Sequence, residues 1–215
     1  MHYSENNLEE EVYDEKFRLM LIGNSNVGKT SIIKRFCKNK FINSFISSVG
    51  IDFETKYVKI GDKTINLQIW DTAGQERYKV LAKNYFNQSD GFIIVYDITD
   101  RKSFDDVANW IEQIKEYAGE YTKNIIVGNK LDLEKMRKVE KDEGKELAEK
   151  YGYIFFETSA QSGKNIDKAF DSLTKSIFAD DNFISASRKL SQSSTIKEKD
   201  IRTVAQANRR KKCCK

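Results

Sequence analysis

The chain has no proline in 215 residues, where average usage would supply about ten. No polyproline spacer and no native cis-prolyl turn is therefore available to it. Three cysteines, two of them adjacent at Cys213 and Cys214, are too few for a disulfide framework and point to a reducing compartment. The longest apolar run, Phe92–Tyr96, falls far short of the ~20 residues of a membrane-spanning helix. The N-terminus carries Glu5, Glu9, Glu10, Glu11, Asp14 and Glu15 before Lys16, with no basic-then-apolar stretch, so no signal peptide is expected. Position 2 is His2, which excludes N-myristoylation.

Apolar residues make up 39% and charged residues 33%, enough to bury a core while keeping a solvated surface. The net charge of +4 hides an asymmetry. Residues 182–215 hold ten Lys/Arg against Glu198 and Asp200, a net of +8, and residues 1–181 carry a net of −4. A mildly acidic body with a basic tail suits an anionic partner surface at the tail.

Between residues 16 and 179 short apolar runs alternate with amphipathic segments. Phe17–Ile22 reads as a buried strand running through Gly23 into a helix from about Gly28. Phe53–Ile60 and Thr64–Trp70 alternate with period two around Gly61-Asp62, a hairpin pattern. Phe92–Asp97 and Ile125–Gly128 read as buried parallel strands and Tyr153–Glu157 as a further strand. Ser103 with Asp106 reads as a helix cap, and Phe104, Val107, Ile111, Ile114 and Ala118 then share one helix face. Glu140–Tyr151 reads as a helix, and Ile166, Ala169, Phe170, Leu173 and Ile177 as the inner stripe of a last one. The sum is an α/β protein whose ligands bind beyond the carboxyl ends of the strands. Residues 1–15 form an acidic extension and residues 180–215 a flexible basic tail, Ser-, Lys- and Gln-rich at first, without periodicity.

Gly23-Asn24-Ser25-Asn26-Val27-Gly28-Lys29-Thr30 fits G-x-x-x-x-G-K-[ST] between a strand and a helix, the context a phosphate loop requires. Backbone N–H groups from Gly23 to Thr30 and Ser31 would surround a polyphosphate at a helix N-terminus. Lys29 would neutralise the β- and γ-phosphates and the Thr30 hydroxyl would ligate Mg²⁺. This loop alone says only nucleoside triphosphate, since ATPases and kinases share it.

Asn129-Lys130-Leu131-Asp132 follows the strand Ile125–Gly128. A carboxylate at Asp132 accepts from guanine N1–H and the 2-amino group, whereas adenine lacks that amino group and offers a lone pair at N1. The Lys130 stem would lie over the purine, and Asn129 would tie this loop to the phosphate loop. Backbone N–H groups of Thr158-Ser159-Ala160, ending the next strand, are placed to reach guanine O6. Asp71-Thr72-Ala73-Gly74-Gln75-Glu76 follows the strand ending at Trp70. Asp71 would hold Mg²⁺ through water, Gly74 would bring an N–H to the γ-phosphate, and Gln75 would orient the attacking water. A second loop within Asn39–Gly50 supplies Ser48 as the hydroxyl for Mg²⁺. Phe41 either covers an edge of the guanine or packs in the core.

These motifs together resemble a Ras-superfamily small GTPase, and Val49-Gly50-Ile51-Asp52-Phe53, Asn66-Leu67-Gln68-Ile69-Trp70, Arg77-Tyr78, Asn84–Asp90 and Tyr96-Asp97-Ile98-Thr99-Asp100 with Ser103-Phe104 resemble its Rab branch. The resemblance implies a P-loop NTPase fold, a six-stranded mostly parallel sheet with one antiparallel strand and helices on both faces. It also implies GTP/GDP and Mg²⁺ as ligands, slow GTP hydrolysis, and a switch that recruits effectors for vesicle trafficking. The partners implied are an exchange factor, a GTPase-activating protein, a GDP-dissociation inhibitor, prenylation machinery and switch-binding effectors, on a monomer that binds no nucleic acid. Three positions depart from the family pattern: Ser48 for Thr, Gln161 for Lys and Asn26 for the commoner Gly. Ser48 keeps open a second reading, a GTP-binding scaffold with impaired cycling. No Arg lies in residues 39–50, so no arginine finger is offered in cis.

Arg209-Arg210-Lys211-Lys212-Cys213-Cys214-Lys215 is not a C-a-a-X ending. It resembles the double-cysteine endings of Rabs, which carry two geranylgeranyl groups. Two lipids, or one with a polybasic patch, anchor a protein stably where one lipid does not. The resemblance places the protein on the cytoplasmic face of an intracellular membrane, cycling with cytosol, with the secretory pathway or plasma membrane as the expected site. Cys37 is expected in the core.

Overall fold

The computed structural model describes residues 12–41, 51–72, 85–119 and 121–180. The chain divides into two units, Met1–Ile177 and Phe178–Lys215. In the second, residues 178–180 are helical.

The first unit is built on six strands: β1 (Glu15–Ile22), β2 (Ile51–Ile60), β3 (Lys63–Thr72), β4 (Gly91–Asp97), β5 (Lys123–Asn129) and β6 (Ile154–Glu157). Their order across the sheet is β2-β3-β1-β4-β5-β6. Only β2 runs antiparallel to its neighbour, paired with β3 from Ile51 opposite Thr72 to Ile60 opposite Lys63. The helices are α1 (Lys29–Lys38), α2 (Arg101–Asp105), α3 (Val107–Tyr117), α4 (Lys141–Tyr151) and α5, residues 166–177. The strand runs and the hairpin expected from the sequence are all present.

Successive side chains of a strand alternate between faces. On one face Met20, Ile22, Phe92, Ile94, Tyr96 and Ile126 meet Phe104, Val107, Ile111, Ile114 and Ala148 of α2, α3 and α4. On the other, α1 and α5 meet through Phe36 and Phe170, stacked with ring centroids 3.8 Å apart. Both faces being covered explains why β4 is buried from Gly91 to Asp97. Each fully buried Phe or Ile contributes roughly 1.5–3 kcal/mol.

Three expectations need correction. Ser103 does not cap a helix. The cap is Asp100, whose side chain accepts from the Lys102 N–H, and Ser103 is buried inside the helix that follows. Its hydroxyl accepts from the Asp97 N–H at 3.0 Å and donates to the Asp100 carbonyl at 2.7 Å, a use that binds the helix to the end of β4. The single helix expected there is two, α2 and α3, meeting at Asp106. Cys37 is half-buried rather than core, and its surroundings push the thiol up to about 11, burial being the main cause. Leu131–Met136 forms a 3₁₀ turn that the sequence did not announce.

The sheet sets the site. β1, β3, β4, β5 and β6 all end at one edge of the parallel layer, and register aligns them there. Leu21 pairs with Asp71, and Asp97 with Asn129.

Candidate nucleotide site

Gly23 opens the phosphate loop at φ 139°, and a Cβ there would stand 2.1 Å from the Val95 carbonyl oxygen. Gly28, at φ 99°, is the residue before α1, and a Cβ there would stand 2.4 Å from Asn129 Nδ2. Both positions thus require glycine for conformation and for close approach. Asn26 takes a left-handed φ of 67°, which asparagine tolerates better than most side chains. Val27 is buried, Ser25 and Asn26 are exposed, and Ser31 lies half-buried in the first turn of α1.

Lys29 is buried, and its ammonium donates to the carbonyls of Gly23 at 2.7 Å and Asn24 at 2.8 Å. The loop therefore wraps around the lysine head, at the N-terminus of α1. The Thr30 hydroxyl donates to Asp71 Oδ2 at 2.6 Å, bringing β3 to the same point. These two hard oxygens fit Mg²⁺, which prefers a few protein oxygens and fills its octahedron from water and phosphate. No cluster of three or more His, Cys, Asp or Glu able to hold a metal occurs among the described residues.

The loops after β5 and β6 converge on Asn129, which is fully buried. Its Nδ2 donates to the Val27 carbonyl at 2.8 Å, joining the phosphate loop. Its Oδ1 accepts from the Thr158 hydroxyl at 3.2 Å and from the Ala160 N–H at 3.3 Å, joining the loop after β6. Asp132 is exposed, and its Oδ1 accepts from the Ser159 hydroxyl at 2.5 Å. Lys130, at φ 68°, sends its ammonium to Asp97 Oδ2 at 2.7 Å, which fixes the course of its stem. Phe41 is half-buried. Ser48, Gly74, Gln75, Cys213 and Cys214 lie outside the described residues.

Several supporting residues were not singled out from the sequence. Asp97 holds Lys130 while its other oxygen accepts from the Thr99 N–H and hydroxyl, both at 2.8 Å. The Asp-x-Thr spacing signals such a turn. Asn24 accepts from the Trp110 indole at 2.9 Å and donates to Asp106 at 2.6 Å, tying the phosphate loop to α3. Nearby, Arg137 donates to both oxygens of Glu157, at 2.5 and 3.2 Å, and to the Val139 carbonyl at 2.9 Å. The Glu157 hydrogen bond holds the Arg137 guanidinium above its ordinary value. The side chains of this pair are only 11% and 6% exposed, so the loss of either partner would strand a charge in the interior. Arg35 reaches from α1 to the loop after β6. Its partners are too distant in sequence for any local pattern to reveal them.

The fold and the site together define a P-loop nucleotide-binding protein. The sequence pattern of the Ras family matches residues 18–179. The Ras-related protein Rab-13 of Bos taurus is 45% identical over 199 residues, 93% of this chain and 96% of the relative. Rab-3 of Caenorhabditis elegans is 47% identical over 165 residues, 77% of this chain and 75% of the relative. Human Rab-8B is 46% identical over 165 residues, 77% of this chain and 80% of the relative.

The chain belongs to the Ras family, as a Rab small GTPase. As such it binds GTP and GDP with Mg²⁺, hydrolyses GTP and acts as a switch in vesicle trafficking. Exchange factors, GTPase-activating proteins, GDP-dissociation inhibitors and effectors act on the family in general, which works at intracellular membranes. Among the described residues no helix is long and apolar enough to cross a membrane.

Proposed function

We propose that one nucleotide lies across the strand ends with its phosphates in the loop Gly23–Ser31 and its base between Lys130 and the Ser159–Ala160 turn. The observation that carries this is the Asn129 side chain, bonded at once to Val27, Thr158 and Ala160. It holds the phosphate and base loops at a fixed separation. In this reading the Asp132 carboxylate accepts from guanine N1–H and the 2-amino group, and the Ala160 N–H donates to O6. The Lys130 stem and Phe41 flank the ring. Lys29 stabilises charge on the β- and γ-phosphates, with the Gly74 N–H on the γ-phosphate and Gln75 orienting the attacking water. Thr30, Ser48 and Asp71 hold Mg²⁺, whose chemistry when bound is to neutralise developing phosphate charge.

The tail completes the function. Cys213 and Cys214 receive two geranylgeranyl groups from prenylation machinery, and Arg209–Lys212 adds attraction to anionic lipid. The protein acts as a monomer on the cytoplasmic face of a secretory-pathway or plasma membrane and cycles through the cytosol. The acidic extension 1–15, the GTPase body 16–179 and the tail 180–215 are the working divisions.

Asp132→Asn tests the base assignment. It should shift preference from guanine towards xanthine, whose 2-oxo group needs a donor. Unchanged competition by GTP and XTP would reject it. Ser48 in place of Thr supports a second reading, a scaffold that binds GTP without cycling. Single-turnover hydrolysis with and without a GTPase-activating protein separates the two.

A further inference from the structure

Arg35 lies on α1, six residues beyond Lys29, a rise of about 9 Å along the helix. Its guanidinium uses all three nitrogens. Nε donates to the Ala160 carbonyl at 2.8 Å and Nη2 to the Gln161 carbonyl at 2.6 Å. Nη1 donates to the carbonyl and Oδ1 of Asn39, at 3.2 and 3.1 Å. Asn39 is the residue at which α1 ends, in a left-handed conformation. One side chain therefore joins the end of the phosphate-binding helix to two consecutive carbonyls of the base loop. Only arginine offers a planar fork of donors for this; a lysine ammonium is a single point.

The loop has two sides. Towards the nucleotide, the Ser159 hydroxyl engages Asp132 and the Ala160 N–H faces Asn129 Oδ1. On the back, the carbonyls of Ala160 and Gln161 are held by Arg35. A trans peptide is a rigid plane, so holding the Ala160 carbonyl fixes the peptide that Ala160 shares with Gln161; the Ala160 N–H belongs to the preceding peptide, and only the two backbone dihedrals of Ala160 separate it from the plane Arg35 holds. The Ala160 N–H bond to Asn129 is long at 3.3 Å, so Asn129 alone sets this group loosely.

We infer that Arg35 is a positioning residue for guanine, clamping the peptides that directly follow the Ala160 N–H so that the turn is held with that N–H towards O6. This rests on the base-loop reading proposed above. Arg35 would contact no nucleotide; it acts through the loop, from the same rigid helix that carries Lys29. The helix thereby fixes the distance between phosphate recognition and base recognition.

The test is a cycle between the protein and the base, using the full chain. Release rates of GDP and of 6-thioguanosine diphosphate are measured for wild type, Arg35→Ala and Arg35→Lys. The thio analogue keeps N1–H and the 2-amino group but offers a weak sulfur acceptor at position 6. Wild type should release the analogue about tenfold faster than GDP, and Arg35→Ala should release GDP about tenfold faster than wild type does. The clamp predicts that the two changes are not additive: Arg35→Ala should alter release of the analogue by less than about twofold. Arg35→Lys should fall between and carries the test if Arg35→Ala does not fold. Equal acceleration of both nucleotides would reduce Arg35 to general structural support, and no acceleration of either would deny it any role; each overturns the inference. Wild type releasing both diphosphates at one rate would instead reject the base-loop reading, and the inference with it.

Discussion

Asn129→Asp changes one atom of the residue on which the loops converge. The two side chains are nearly isosteric, so no cavity forms. Oδ1 can still accept from Thr158 and Ala160. The loss falls on the other atom, where an oxygen replaces the Nδ2 that donates to the Val27 carbonyl at 2.8 Å. A buried acceptor is left without its donor, facing a second acceptor. That costs about 1–3 kcal/mol, or more when the group is charged. If the cost falls on nucleotide retention, GDP release should accelerate roughly 5- to 150-fold. The sign of the pH dependence follows from burial. A buried carboxyl is disfavoured in its charged form, so the introduced acid has a raised folded-state pKa. Its protonated form regains an O–H that can donate to Val27. The defect should be greatest at pH 8 and shrink as pH falls through that raised value, because the folded state then holds a proton the unfolded state lacks. Release of a fluorescent GDP analogue, measured from pH 8 to pH 5.5 beside wild type, reads both effects. Wild-type release at pH 8, or a defect indifferent to pH, would refute the reasoning.

Three further outcomes are expected. Intrinsic turnover should be slow, on the order of 10⁻⁴ s⁻¹, and Gln75→Leu should lower it further with GTP affinity nearly intact; single-turnover assays of the two proteins check this, and unchanged hydrolysis would remove Gln75 from its role. Replacing both Cys213 and Cys214 by Ser should abolish two geranylgeranyl masses in protein from a eukaryotic host and release it from membranes, read by intact-mass analysis and fractionation. At Glu143, hydrogen bonds from Arg101 first and the Glu140 N–H second hold the carboxyl below its ordinary 4.5. The stabilisation it gives is therefore complete above that value and lost as pH falls through the lowered one. Glu143→Gln should flatten this acid limb of a thermal-melting profile, by an amount that shrinks with added salt.

The strands were readable because each has a definite pattern. β4 is covered on both faces and is apolar throughout, while β2 and β3 alternate about the Gly61-Asp62 turn. The phosphate loop was readable because its glycines, Lys29 and Thr30 fall at fixed spacing within one short stretch, Gly23–Thr30. Features that depend on a choice between partners were less legible. Ser103 has the chemistry of a cap, but the chain offers Asp100 three residues earlier, and the serine hydroxyl is used inward on Asp97. Glu140 and Glu143 do form a capping box for α4, yet glutamate is not among the residues that commonly open one. Arg35 was invisible for another reason. Its carbonyl partners stand 125 and 126 positions away, and a backbone carbonyl has no signature in sequence.

The bond from Asn129 to Val27 spans 102 positions, and its remaining partners, Thr158 and Ala160, come later still. Such separation has a consequence for biosynthesis. While the ribosome is extending the chain, the phosphate loop is among the first parts to emerge, but the surface proposed to read the base does not exist until Ala160 has been made. At 5–20 residues per second that is roughly 8–30 s into translation. On that reading a nascent chain can expose its phosphate loop early and still be unable to tell one purine from another. Selective capture of guanine nucleotide belongs to the closing stage of synthesis, when β6 docks beside β5 and completes the sheet.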